Sequence, residues 1–204
     1  MARRSSYILG AMARDEQWFR DLLDADGVLL PETNLGLDEG ACFRVFSQDS
    51  APRIRSSRWS DFAKRFCDTR LGITTDKRYG ARDIVRDAAR VVLATDTAVA
   101  GGGVHATLLV AVRTATDSDV AAAEAGERAA GTYGLAALAK RCKTIFIVEA
   151  TTPERGTDRA ALLLSAILAG TELGPVVYPG ATDLVGFKSA WTRFSQAAGD
   201  APYR

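Results

Sequence analysis

Glu149 ends an apolar run, TIFIVEA, and is followed by Thr151, Arg155 and Asp158. A carboxylate at the mouth of a buried strand loses hydration, which raises its pKa and suits it to work as an acid or base. Arg113 ends a second apolar run, HATLLVAVR, and Asp183 follows a third, GPVVYPGAT. In a parallel sheet the carboxyl ends of the strands share one edge, and ligands bind in the crevice outside it. On that arrangement Glu149 and Asp183 would carry proton transfer, while Arg113, Arg155 and Thr151 would hold a small polar or phosphorylated substrate. The competing account is structural, because a polar residue at a strand end often reaches water or pairs with an arginine such as Arg113 or Arg155.

Other signals are weaker. His105 is the sole histidine, and Cys42, Cys67 and Cys142 are too scattered to complete a Cys/His metal site with it. The cysteines read as reduced core residues, and no metal or cofactor is expected. A Cys42–His105 nucleophile pair would need a proximity that no spacing supports. DADGVLLPE at 24–32 is similar to the Asp-x-Asp-Gly loop of haloacid-dehalogenase phosphatases, but that loop follows a buried strand, and EQWFRDLL has a helical period. VEATT has Thr151 where PD-(D/E)xK nucleases need a lysine. GGGVH precedes a strand, whereas phosphate loops lead into a helix N-terminus.

Charge is more informative. Net charge is +1, yet residues 53–90 hold eleven cations against five carboxylates, so that segment is +6 and the remainder about −5 by subtraction. Arg53, Arg55, Arg58, Lys77 and Arg78 are the candidate contacts to nucleic acid or an acidic partner, with Trp59, Phe62, Phe66 and Tyr79 interleaved. The bland account is a solvated surface, since Asp61–Arg65 and Lys64–Asp68 have the i,i+4 spacing of helical ion pairs.

The stretch 160–170 raises a packing question. Ala160, Leu163, Leu164, Ile167 and Leu168 form one stripe of a helix, but Leu162, Ala166 and Ala169 make the opposite side apolar too. A helix apolar all round must be covered all round. The cover is either a neighbouring helix or another subunit, and Leu162, Ala166 and Ala169 are the candidate interface residues.

The elements that must position these groups follow from periodicity. Helices are expected over 5–26, 58–71, 81–93 and 119–141, after 152, and after 182; strands are expected at 28–30, 41–47, 105–112, 144–150 and 174–179. The second half reads β-α-β-α-β-α, which calls for crossovers and a parallel sheet; the first half reads α-β-β-α-α. The expected fold is one α/β domain over 1–204, with a mixed sheet and a seam near 98–104. With 204 residues and 47% hydrophobic content, the chain can bury a core without disulfides.

No run approaches the ~18 apolar residues of a membrane span. The opening residues lack a secretory apolar core, so the expected location is the cytoplasm or a particle assembled there. The leading functional expectation is a non-catalytic subunit of a homo-oligomeric or larger assembly, a virion component being one form. The alternatives are a metal-independent enzyme centred on Glu149 and a nucleic-acid-binding module.

Overall fold

A computed structural model describes residues 15–31, 33, 35–51, 53–76, 87–95, 103–150 and 157–196. Its helices are α1 (Glu16–Asp21), α2 (Ser56–Phe66), α3 (Asp117–Ala130), α4 (Leu135–Ala139), α5 (Thr157–Glu172) and α6 (Phe187–Gln196). Its strands are β1 (Phe43–Ser47), β2 (Thr69–Thr75), β3 (Asp87–Thr95), β4 (His105–Thr114), β5 (Thr144–Ala150), β6 (Val176–Val177) and β7 (Leu184–Val185). They form one seven-stranded sheet in the order β2-β3-β4-β5-β1-β6-β7.

Every neighbouring pair of strands is antiparallel, which corrects the expected parallel half. The first reason lies between β4 and β5. The expected single helix 119–141 breaks at Gly131 and Gly134, both in the left-handed region at φ 64° and 98°. One helix would carry the chain to the far end of the sheet, whereas the α3–α4 pair brings it back, so Thr144 pairs with Thr114. The second reason is β1, which lies between β5 and β6 and runs antiparallel to both. Strands β5 and β6 therefore point the same way but do not touch.

Two further expectations fail locally. The helix expected over 58–71 stops at Phe66, and TRLGITT becomes β2, whose Thr and Ile residues favour an extended chain. The helix expected over 81–93 meets strand β3 at residue 87. There Ala89, Val91 and Leu93 are buried on one face and Ala88 on the other, so hydrophobicity alternates too little to reveal a strand. The strand expected at 28–30 is a single bridge from Leu29 to Leu23.

Alternate residues of the central strands feed two cores. Leu108, Val110, Val112, Phe146 and Val148 face α2, α5 and α6; Leu109, Ala111, Ile145 and Ile147 face α1, α3 and α4. From Ala160 to Ala169 every residue of α5 is buried, Leu162 being the most exposed at 8%. Leu162, Ala166 and Ala169 are thus enclosed by their own chain and are not the interface expected from the sequence, because no second subunit is needed to cover them. The sheet covers one side of α5, while α2 and α6 meet over the other through Phe62 and Phe187, 5.5 Å apart edge to face. Gly170 makes room for this roof, because a Cβ there would stand 2.3 Å from the Phe62 ring.

The C-terminal end of α5 is tied down by polar contacts. Glu172, 4% exposed, accepts hydrogen bonds from Trp59 Nε1 (3.0 Å) and Ser47 Oγ (3.1 Å). Arg58 donates to the Thr171 carbonyl, and Gln48 donates to the Leu173 carbonyl at 2.6 Å.

Two substitutions test the roof. Phe62→Ala, which opens the cover over α5, is expected to cost about 2 kcal/mol in urea unfolding, below the range for a fully buried phenylalanine because this ring is half-buried. Phe66→Ala, at a residue 65% exposed, should stay within about 0.5 kcal/mol.

Candidate docking surface

Residues 53–76 of the basic segment form helix α2 and the terminal strand β2 at one end of the sheet. After Phe66 the chain reverses through Cys67 and Asp68, whose φ of 45° lies in the left-handed region that aspartate tolerates, and enters the edge strand β2. Helix α2 lies beside that strand. Between them opens a cavity of about 380 Å³ lined by Ser60, Lys64, Asp68, Thr69, Arg70 and Leu71. From 53 to 76 there are six cations and three carboxylates.

The ion pairs expected along α2 do not form. Among the described residues neither Asp61–Arg65 nor Lys64–Asp68 comes within ion-pair distance, and Lys64, Arg65 and Arg53 make no ion pair or side-chain hydrogen bond. Lys64 and Arg65 are exposed, and so is Arg53. The other proposed contacts are differently employed: Arg55 pairs with Asp49, and Arg58 is spent on the end of α5. Lys77 and Arg78 lie outside the described residues.

The catalytic set does not assemble. With the sheet antiparallel, the carboxyl ends of β4 and β5 lie at opposite edges: Arg113 pairs with Ile145, whereas Glu149 pairs with Leu109, four residues away along the strands. Glu149 is half-buried on the face of α3 and α4, beside Cys42. Asp183 sits on the other face, where Arg193 of α6 donates to one carboxylate oxygen and the Leu184 amide to the other at 2.8 Å. Thr151 and Arg155 lie outside the described residues.

Arg113 is fully engaged. Its Nε and Nη2 donate to Glu39 at 3.3 and 2.6 Å, Nη1 and Nη2 to Asp119 at 2.7 and 3.1 Å, and Nη1 also to the Thr114 carbonyl at 3.0 Å. These contacts use all five guanidinium donors, leaving none for a substrate anion. Arg44 approaches Asp119 at 3.6 Å, and Thr116 closes a capping box with Asp119 at the start of α3. Burial pushes Asp119 up, but the hydrogen bonds from Arg113 and Thr116 outweigh it and hold the carboxyl below its usual range.

Nucleophilic chemistry is equally unsupported. Burial, reinforced by the charge of Glu149, pushes the Cys42 thiol up to about 12, so it is not a thiolate at neutral pH. His105 is exposed at the start of β4, two strands away from Cys42. Asp24 and Asp26 occupy a turn in which the Asp24 carboxylate accepts from the amides of Asp26 and Val28, each at 2.9 Å. Among the described residues no group of three or more His, Cys, Asp or Glu could hold a metal, and no helix is long and apolar enough to cross a membrane.

The basic segment is visible in the sequence but its groove is not, because the helical stripe of Trp59, Phe62 and Phe66 runs on toward Leu71 and hides the start of β2. The alternation of Thr69, Leu71, Ile73 and Thr75 with Arg70, Gly72 and Thr74 was the available signal.

The Arg113–Asp119 pair gives a test with a defined sign. A carboxyl whose folded pKa is depressed adds stability above its unfolded pKa, about 4, and loses it as pH falls through the folded value. Asp119→Asn should therefore be less stable than wild type at pH 7 and flatter in stability below about pH 4, measured by urea unfolding. Arg113→Met, which strands a carboxylate with a fully buried side chain, should cost about 3–5 kcal/mol. No family model matches the chain, and no curated protein or solved structure shows significant similarity to it.

Proposed function

We propose that the protein is a non-catalytic binding protein that docks to an acidic partner through the α2–β2 corner. The observation that carries this reading is the pair of exposed α2 cations, Lys64 and Arg65, which lack carboxylate partners although Asp61 and Asp68 stand at the right spacing. Like charges at neighbouring positions cost self-repulsion unless something neutralises them. The rest of the chain is about −5, so the charge is segregated along the sequence.

Two observations speak for binding over catalysis. The described candidates for an active centre lie on opposite faces of the sheet, and the arginine best placed to hold an anion already serves two carboxylates. Nucleic acid is the rival partner, favoured by the ring of Phe66, exposed next to Arg65 in the sequence, because cations with an aromatic platform suit a single strand.

Fluorescein-labelled polyglutamate and an oligothymidylate of equal charge, titrated at about 50 and 200 mM salt, test the reading. Polyglutamate is expected to bind, more weakly at high salt, and Lys64→Glu with Arg65→Glu should lower its affinity at least tenfold. An absence of salt-dependent binding, or a double variant that binds like wild type, would overturn the proposal. Oligothymidylate binding tenfold tighter than polyglutamate would replace the acidic protein with nucleic acid.

A further inference from the structure

We infer that the partner segment binds as an additional β-strand, paired to the free edge of β2 within the groove between β2 and α2. The inference rests on the docking reading above and specifies its mode. Strand β2 is the terminal strand of the sheet, and among the described residues only β3 pairs with it.

The hydrogen-bond phase of this edge can be worked out. The Asp76 amide donates to the Ala88 carbonyl at 3.2 Å, so Asp76 and Ala88 are a hydrogen-bonded antiparallel pair. Such pairs alternate along an antiparallel ladder. Thr74–Arg90, Gly72–Val92 and Arg70–Ala94 are then also hydrogen-bonded pairs, given the register. The N–H and C=O groups of Thr69, Leu71, Ile73 and Thr75 consequently point away from β3, toward the open edge. Four residues offer eight backbone groups in strand geometry to an incoming chain.

The space beside this edge fits an extended peptide. A helix flanking an edge strand forms the kind of groove in which peptides add to a sheet, with main-chain hydrogen bonds giving affinity and alternate side chains giving specificity. Here the cavity of about 380 Å³ has Ser60 and Lys64 on the helix side and Thr69, Arg70 and Leu71 on the strand side. Lys64 favours a carboxylate on the face of the added strand that meets α2, and Asp68 disfavours an acidic residue at its own position. The occupant is therefore an extended segment with acidic residues at alternate positions, the set that faces Lys64. A second copy of β2 fits less well, because it would bring a second Lys64 to the same groove.

An eight-residue peptide alternating glutamate and valine provides the test. In a bound strand one alternate set of its amides faces β2 and the other faces away. Two isomers are made, N-methylated on the glutamates or on the valines, and each is titrated into the wild-type protein by fluorescence anisotropy. One isomer is expected to bind within threefold of the unmethylated peptide and the other at least tenfold more weakly. Equal binding of the two isomers would overturn the strand-addition mode; if polyglutamate still bound with its salt dependence, the docking reading would survive.

Ile73→Pro supplies the protein-side check. It removes an outward N–H while sparing the ladder to β3, a position at which an edge strand tolerates proline. With the far-ultraviolet circular dichroism retained, affinity for the unmethylated peptide should fall about tenfold; an unchanged affinity would count against the inference.

Discussion

A helix without a polar face constrains everything packed around it. Over its central turns α5 presents no side to water, so the sheet alone cannot satisfy it and two further helices must lie across its back. Helices α2 and α6 do this, meeting edge to face at Phe62 and Phe187. Their positions are tightly set: Gly170 admits the Phe62 ring, and Gly174 lies so close to Phe46 that a Cβ would fall 1.9 Å from its carbonyl oxygen. The buried Glu172 carboxylate fixes the same corner by accepting hydrogen bonds from α2 and β1 together. The groove at the sheet edge follows from this, because the helix recruited to roof α5 leads within two residues into the terminal strand.

The opposite face is held by charge. Asp119 caps α3 through Thr116 and takes a two-pronged hydrogen bond from Arg113 on β4, while Glu39 joins from the loop before β1. Taking one partner from such a cluster costs more than never having built it, since the survivor stays buried without compensation. Arginine is suited to the role because its planar fork meets two carboxylates at once, which a lysine ammonium cannot do with the same geometry. The cluster thus binds α3 to the sheet and leaves Arg113 chemically occupied.

What the sequence revealed followed from local pattern, and what it hid depended on long-range partners. The apolar runs at 105–112 and 144–150 and the helix that contains 160–170 were legible because each is long and strongly biased. Strand direction was not, because it turned on Gly131 and Gly134 breaking a helix that alanine-rich residues would otherwise continue, and on β1 inserting between strands distant in sequence. The basic segment was visible as charge, but its division into a helix and an edge strand was obscured by Phe66 and Leu71, which also fit a helical stripe. Arg113 and Asp183 looked available because their neutralising partners, Glu39 and Arg193, lie far away or beyond a turn.

An edge that no described strand pairs with has a second explanation besides docking, because proteins protect such edges from aggregation with charges on the strand itself. On β2 the only charged residue is Arg70, and the four residues with outward backbone groups, Thr69, Leu71, Ile73 and Thr75, are all uncharged. Seven residues without proline, holding one glycine and one charge, are a weak guard for an edge this long. The lysine that best repels a like-charged chain stands on α2, across the groove, where it excludes another copy of this basic corner yet attracts a carboxylate. That placement suits selecting a partner better than keeping the edge bare: the backbone remains open while the helix decides by charge what reaches it.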